Sequence, residues 1–341
     1  MRWRFSLPSL GLSGSLLTFC LVLAQGVAWS AEVAPSGAEL QVFIENDMLA
    51  RTDRYYTNGI KFGVGLPVDA LQIPAADVLR QVVPEIADDG SDVHVGMFMG
   101  QNIYTPHSIT TTTAQPNDRP WAAWLYLGGV AQRARGNRLD TVELDVGMVG
   151  PMALGKEVQT HWHRLIGSPQ PQGWQHQIRN EPAFLASYLS KRRYARGNVE
   201  LIPHAGATVG TVMTLARAGG VVRYGVNMSG FGPDTIEPGG ALLHNMRREL
   251  TSGASGLEAY VFAGVDHRWV AHNIFLDGGV FHRGPSVERR PHVYDLSLGA
   301  SVRINSLRIS LTRVKRSEEF YTVAGGGGKQ TFDSVNLGME F

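Results

Sequence analysis

Cysteine is almost absent: among 341 residues only Cys20 is one, so no disulfide framework staples the fold and no thiolate set is there to hold a soft metal. Charge is scarce as well. Charged side chains make up 18% of the chain, against roughly 25% in an ordinary soluble domain. The formal net charge of +1 leaves no basic excess of the kind a nucleic-acid binder carries. Beyond residue 31 no apolar run reaches the length of a membrane-spanning helix, so insertion into a bilayer would require the other permitted solution, a closed β-barrel. What is abundant is glycine, 40 residues, together with 43% hydrophobic residues dispersed along the chain. That composition excludes disorder and leaves room for one large domain or two ordinary ones.

Residues 1–30 read as a secretory signal peptide. Arg2 and Arg4 form its basic start, Leu16 to Leu23 its apolar centre, and Ala28-Trp29-Ser30 a small-x-small site before Ala31. An N-terminal membrane anchor is the alternative, but the run is shorter than the ~20 residues such a helix needs. Cleavage would remove Cys20 and leave 29 basic against 30 acidic side chains, a net of −1, in a single domain over 31–341. An exported chain of this size without disulfides fits a bacterial envelope better than an animal cell surface.

The remaining pattern is alternation. In Ser334-Val335-Asn336-Leu337-Gly338-Met339-Glu340-Phe341 the apolar residues fall on every second position, which predicts a strand with one apolar and one polar face. The terminal aromatic resembles the sorting signal read by the barrel assembly machinery. Residues 296–304 and 307–311 alternate likewise around Asn305-Ser306 and predict a hairpin. With 40–45, 60–66, 92–103, 120–134, 138–149, 183–195, 198–211, 214–228 and 256–270, about twelve strands are expected. An even number of long strands predicts an all-β transmembrane antiparallel barrel; a soluble β-sandwich shares the alternation, though its strands run nearer six residues.

Parity then sorts the connections. If the first strand rises from the periplasm, residues 48–57, 104–119, 150–182, 212–213, 271–295 and 313–333 lie at the extracellular rim. Two connections sit awkwardly: 212–213 is short for that side, and 229–255 is long for the other. Either a strand is miscounted there, or the chain makes a periplasmic excursion, helical around Ala241 to Leu250.

The polar segments gather at the rim. They are Glu45-Asn46-Asp47, the stretch from Thr52 to Gly59, Gln101 to Pro106, and Gly155 to Gly167, which has helical composition until Gly167 and Pro169 stop it. On that short extracellular helix Gln159 and His163 share a face and His161 points elsewhere, which argues against a His161/His163 metal pair. A histidine near an asparagine and an aspartate is a usable hydrolytic set: imidazole takes a proton from water, and an amide or a carboxylate-held cation stabilises an ester oxyanion. The plainer reading is that these side chains only hydrogen-bond loop backbone.

At these residues the sequence resembles the outer-membrane lipid A 3′-O-deacylases (LpxR-like). The matching segments are Glu45-Asn46-Asp47 with Tyr56-Thr57-Asn58-Gly59, Gln101 to Pro106, Asn117 to Trp121, Gly147 to Pro151, Glu157-Val158-Gln159, His163 to Gly167, and Trp174 with Gln177-Ile178 and Asn180-Glu181. The resemblance implies a twelve-stranded barrel in the outer membrane of a Gram-negative bacterium. It also implies a calcium-dependent hydrolase that removes the 3′-linked acyloxyacyl group of lipid A in lipopolysaccharide. His163 would be the general base, Asp47 the carboxylate holding the cation, Asn46 an oxyanion or orienting residue, Thr57 part of the lining and Gln159 a partner of the base. A family lysine after the third strand has no counterpart in Ser108-Ile109-Thr110-Thr111-Thr112-Thr113, which leaves Arg119, Lys156 or Arg164 to meet the sugar phosphate. The rivals are a non-catalytic pore or structural barrel and a barrel phospholipase; no serine here sits in a recognisable nucleophile motif.

Overall fold

The structure, a computed structural model, describes residues 37–47, 53–67, 92–232, 256–322 and 328–341. The expected signal peptide and the expected helix around Ala241 to Leu250 lie outside the described residues. The strands are β1 (Glu39–Asn46), β2 (Tyr55–Pro67), β3 (Asp92–Thr105), β4 (Ala122–Arg135), β5 (Arg138–Val149), β6 (Glu181–Arg192, resumed after Arg193 as Tyr194–Arg196), β7 (Val199–Gly210), β8 (Met213–Val226), β9 (Leu257–Asn273), β10 (His292–Ile304), β11 (Leu307–Arg316) and β12 (Gln330–Glu340). Each pairs antiparallel with its sequence neighbours, β1 pairs with β12, and β6 pairs with β7. The result is a closed ring of twelve strands with no free edge to expose unpaired backbone.

Burial along the strands is inverted relative to a soluble protein. The positions that alternate onto the inside carry Gln41, Glu45, Lys61, Glu143, Arg223 and Arg308, all nearly inaccessible. The outside carries exposed Met97, Leu127, Val146, Phe184, Val265 and Leu298. Only a solvent of hydrocarbon makes that arrangement favourable. The buried charges are compensated in place: Lys61 Nζ is 2.8 Å from Glu143, and Arg308 Nη1 is 2.8 Å from Glu258.

The two ends of the barrel differ. One end holds the strand-12 terminus, where the Gly37 amide donates to the Phe341 carbonyl at 2.7 Å, and the tight turns at Gly136-Asn137, Gly197-Asn198 and Asn305-Ser306, with positive φ at Gly136, Gly197 and Asn305. The other end, here called the rim, carries the connections 47–54, 106–121, 150–180, 211–212, 274–291 and 317–329. The two-residue connection after β7 is therefore real, and no strand is miscounted around it. It is covered by the β9–β10 connection, whose short helix α2 (Ile274–Asp277) donates its first amide to the Val212 carbonyl at 3.0 Å.

The same connection closes the mouth. Phe275 enters the lumen and stacks on Tyr104 with centroids 4.0 Å apart, within an aromatic layer that includes Phe43, Tyr56, Phe98, Trp124, Tyr126 and Phe332. Rim loops are laced over it. Glu181 accepts amide hydrogens from Val280, Phe281 and His282 at 2.8, 3.1 and 2.8 Å, and Arg119 reaches Glu319 at 2.7 Å.

Candidate active site

The connection between β5 and β6 folds back over the outer wall near the rim. It begins with a short turn at Pro151–Ala153 and continues as helix α1 (Gly155–Ile166). The helix lies close to the barrel because Gly155 has no side chain: a Cβ there would meet the Ala123 methyl and the Trp174 ring at about 2.5 Å. Ile103, Ile109, Trp121, Ala123, Ala153 and Trp174 pack beneath it into a separate apolar cluster. The face of α1 turned to the barrel is small and polar, with Gly155, Gln159 and His163 buried, as the four-residue spacing predicts. His161 is exposed and donates to the Glu157 carbonyl of its own helix.

Gly167 ends the helix with φ of 70°, the left-handed conformation that favours glycine. That turn brings Pro169 back underneath, where its carbonyl accepts a hydrogen bond from His163 Nδ1 at 2.6 Å. A carbonyl can only accept, so Nδ1 carries the proton and Nε2 is the atom left for chemistry. Nε2 stands 3.3 Å from Asp53 Oδ2. The other carboxylate oxygen accepts from Gln159 Nε2 at 3.3 Å, and Gln159 Oε1 in turn accepts from Trp174 Nε1 at 2.9 Å. A continuous chain therefore runs from the indole through Gln159 and Asp53 to the imidazole. Burial, the largest influence on Asp53, raises its carboxyl above the ordinary 3.8, against the opposing pull of His163 and the Gln159 hydrogen bond.

The sequence-predicted residues divide in two. His163 and Gln159 form the centre. Asp47 joins it through the backbone: its Oδ2 accepts from the amide of Arg54, the residue after Asp53, at 2.8 Å. Thr57 makes a different contact, its hydroxyl 2.7 Å from that of Thr105 across β2 and β3, beside an irregularity in register between Tyr56 and Asn58. Asn46 ends β1 half-buried, opposite Asn58 and Asp333. Asp53 is the member that sequence reasoning passed over, since nothing local marks a loop aspartate as the partner of a histidine 110 positions later. Of the basic candidates, Arg119 is fully buried, paired with Glu319 and set 5.2 Å from the Tyr104 ring. It braces the rim and does not meet a ligand there. Lys156 and Arg164 are exposed on α1.

Among the described residues no group of three or more His, Cys, Asp or Glu side chains converges as a ready metal cage. The donors the structure sets at Asp47 are oxygens: its own carboxylate and the Thr57 carbonyl, which accepts the Asp47 amide at 3.4 Å. That chemistry fits a hard cation whose coordination is completed by carbonyl and water oxygens.

The profile of the family described as outer membrane protein LpxR matches residues 16–341. Among solved structures, LpxR from Salmonella typhimurium superposes with a TM-score of 0.70 at 22% identity, covering 89% of this chain and 100% of that one. The β domain of the Bordetella autotransporter BrkA has a TM-score of 0.44 at 10% identity, over 90% of this chain and 99% of that one. The translocator domain of the autotransporter NalP from Neisseria meningitidis has a TM-score of 0.40 at 9% identity, over 98% and 100%. No curated protein sequence matches. With the profile spanning nearly the whole sequence and a twelve-stranded barrel beneath it, the chain belongs to the LpxR family of outer-membrane proteins of Gram-negative bacteria.

Proposed function

We propose that the chain is an outer-membrane esterase that acts on lipid A, hydrolysing the 3′-O-linked acyloxyacyl ester with His163 as general base and a divalent cation, calcium, at Asp47. The observation that carries this reading is the placement of the Trp174–Gln159–Asp53–His163 chain under a helix that also exposes an apolar flank beside its buried polar stripe. Val158, Trp162 and Leu165 are 40%, 38% and 77% exposed. A rim helix that buries a polar stripe against the barrel and exposes an apolar flank beside it suits a site that opens sideways onto a lipid leaflet. The rim lies opposite the end that holds the three two-residue turns, and in this class of barrel the tight turns face the periplasm; on that reading the rim faces the cell exterior, where lipid A resides.

In this mechanism His163 Nε2 accepts the proton of the attacking water, with Nδ1 held as donor by Pro169. Asp53 is a positioning residue that fixes the imidazole plane and steadies the positive charge the ring acquires, while Gln159 and Trp174 fix Asp53. The cation, when bound, would polarise the ester carbonyl and offset its developing negative charge. Asn46 and Thr57 border the same loop and would shape the pocket around the carbonyl. Lys156 and Arg164 would meet the sugar phosphates. The barrel assembly machinery would be the partner that inserts the chain.

The test is product analysis with the purified barrel in mixed micelles containing lipid A. Release of an intact acyloxyacyl acid, abolished by chelation and restored by calcium, supports the reading. Release of a glycerophospholipid fatty acid, or activity indifferent to chelation, contradicts it.

A further inference from the structure

The loop that carries Asp53 also carries an arginine with no acid to hold it. Arg54 Nη1 donates to His107 Nδ1 at 2.6 Å, and the guanidinium lies 5.3 Å from the centre of the Tyr55 ring. Among the described residues no carboxylate stands within ion-pair reach of this side chain, and its buried Nε has no acceptor. Other rim arginines do have such a partner: Arg119 pairs with Glu319, Arg289 with Asp277 and Arg290 with Glu318. The acids of the adjoining segments are engaged otherwise. Asp53 meets His163 and Gln159, Asp47 accepts the Arg54 amide, and Asp118 accepts the amides of His107 and Arg119 at 2.7 and 2.8 Å.

The histidine adds a second donor. Arginine can only donate, so His107 Nδ1 is the acceptor of their hydrogen bond and the ring N–H sits at Nε2. Arg54 is half-buried and His107 exposed, so a guanidinium with unclaimed N–H groups stands beside an imidazole N–H on an accessible ring. A planar guanidinium fork matches the oxygens of a phosphate with two parallel bonds. Its root lies between the groups assigned to the chemistry, since the residue before it faces His163 and its own amide is bound by Asp47.

We propose that Arg54 and His107 form a subsite for a sugar phosphomonoester. Resting on lipid A as the substrate, the group they hold is the 4′-phosphate, on the ring carbon next to the one that bears the 3′ ester. A side chain rooted one residue from Asp53 can grip that phosphate while His163 faces the ester on the neighbouring carbon. Lys156 and Arg164 on α1 are left for the phosphate of the other sugar. The subsite makes the barrel selective for the phosphorylated lipid.

The test measures binding, so it reads the subsite whether or not the ester is cleaved. The His163→Ala barrel, folded in detergent, is titrated with lipid A and with lipid A stripped of its 4′-phosphate, and bound lipid is counted by native mass spectrometry. The expected result is tighter binding of the phosphorylated lipid by about 10- to 100-fold, a preference that disappears when Arg54→Leu is added. His107→Phe keeps a ring and removes both nitrogens, and is expected to lose part of the preference; its exposed position lets it decide the matter should the Arg54 variant not fold. Inorganic phosphate at millimolar concentration is expected to leave the preference in place. Equal binding of the two lipids, or an undiminished preference in the variants, would overturn the subsite and leave Arg54 as a brace of its loop. A preference erased by inorganic phosphate would assign the site to the free anion and overturn the headgroup reading. An Arg54-dependent preference in a barrel whose wild type releases no acyloxyacyl acid would support the subsite and count against the hydrolase reading alone.

Discussion

His163 depends on two neighbours that no local pattern supplies: the Pro169 carbonyl that fixes its tautomer and the Asp53 carboxylate that faces Nε2. Replacing it with alanine is expected to lower the rate of lipid A deacylation by about 10²–10⁴-fold while the heat-modifiable gel shift of the folded barrel stays unchanged. Asp53 gives a sharper prediction because its cost to the fold has a sign. Its folded carboxyl lies above the unfolded value, so its contribution to stability is complete below the unfolded value and is lost as pH rises through the folded one. Ionised Asp53 therefore burdens the native state near neutrality. Asp53→Asn is expected to melt at or above the wild-type temperature near about pH 7, with the gap closing as the pH falls below the carboxylate range, and yet to lose activity by about 100-fold as the imidazole loses its guide. A variant that is both less stable and fully active would contradict the role given to Asp53. His163 and Gln159 were legible from their spacing on one helix face. Asp53 was not, because its pairing is set by how two distant connections meet at the rim.

Helix α1 is the element on which the site stands, and its geometry rests on two glycines. Gly155 allows the close approach to Ala123 and Trp174, and Gly167 supplies the left-handed turn that returns Pro169 to His163. Gly167→Ala meets no steric obstacle in the surrounding space and should cost only about 1–2 kcal/mol for the left-handed backbone. It is nonetheless expected to reduce kcat by displacing the carbonyl that orients His163; a wild-type kcat would show that the tautomer is fixed some other way. The exposed apolar flank tests the membrane reading. Leu165→Asp is expected to slow hydrolysis of lipid A in vesicles much more than hydrolysis of a micelle-dispersed ester, and equal losses on both would argue that this face does not touch lipid. The helix itself was legible from composition and from its Gly167 and Pro169 stop. Its docking on the outer wall was not, since burial of Trp174 and Ile103 depends on which strands lie below.

At the scale of the whole molecule, alternation carried most of the information, because a barrel in hydrocarbon must put apolar residues on every second position of every strand. The segment Ser334 to Phe341 and the hairpin around Asn305-Ser306 showed it plainly, and the parity of twelve strands placed α1, Asp47 and Asp53 at one end. Less legible was what fills the ring. The alternate polar positions have no pattern that announces which acid meets which base, as with Lys61 and Glu143, nor that Phe275 from a loop would stack on Tyr104. That aromatic layer predicts a barrel that does not conduct: in planar bilayers the wild-type chain should give no steady channel, and a stable open conductance would favour the pore reading over an enzyme. The central claim is tested most directly by mass spectrometry of lipid A from cells expressing the wild-type chain or His163→Ala at equal levels in the outer membrane. The account predicts that wild type removes the mass of the 3′ acyloxyacyl group while the variant leaves lipid A intact; an unchanged lipid A with wild type, or the same loss with His163→Ala, would contradict it.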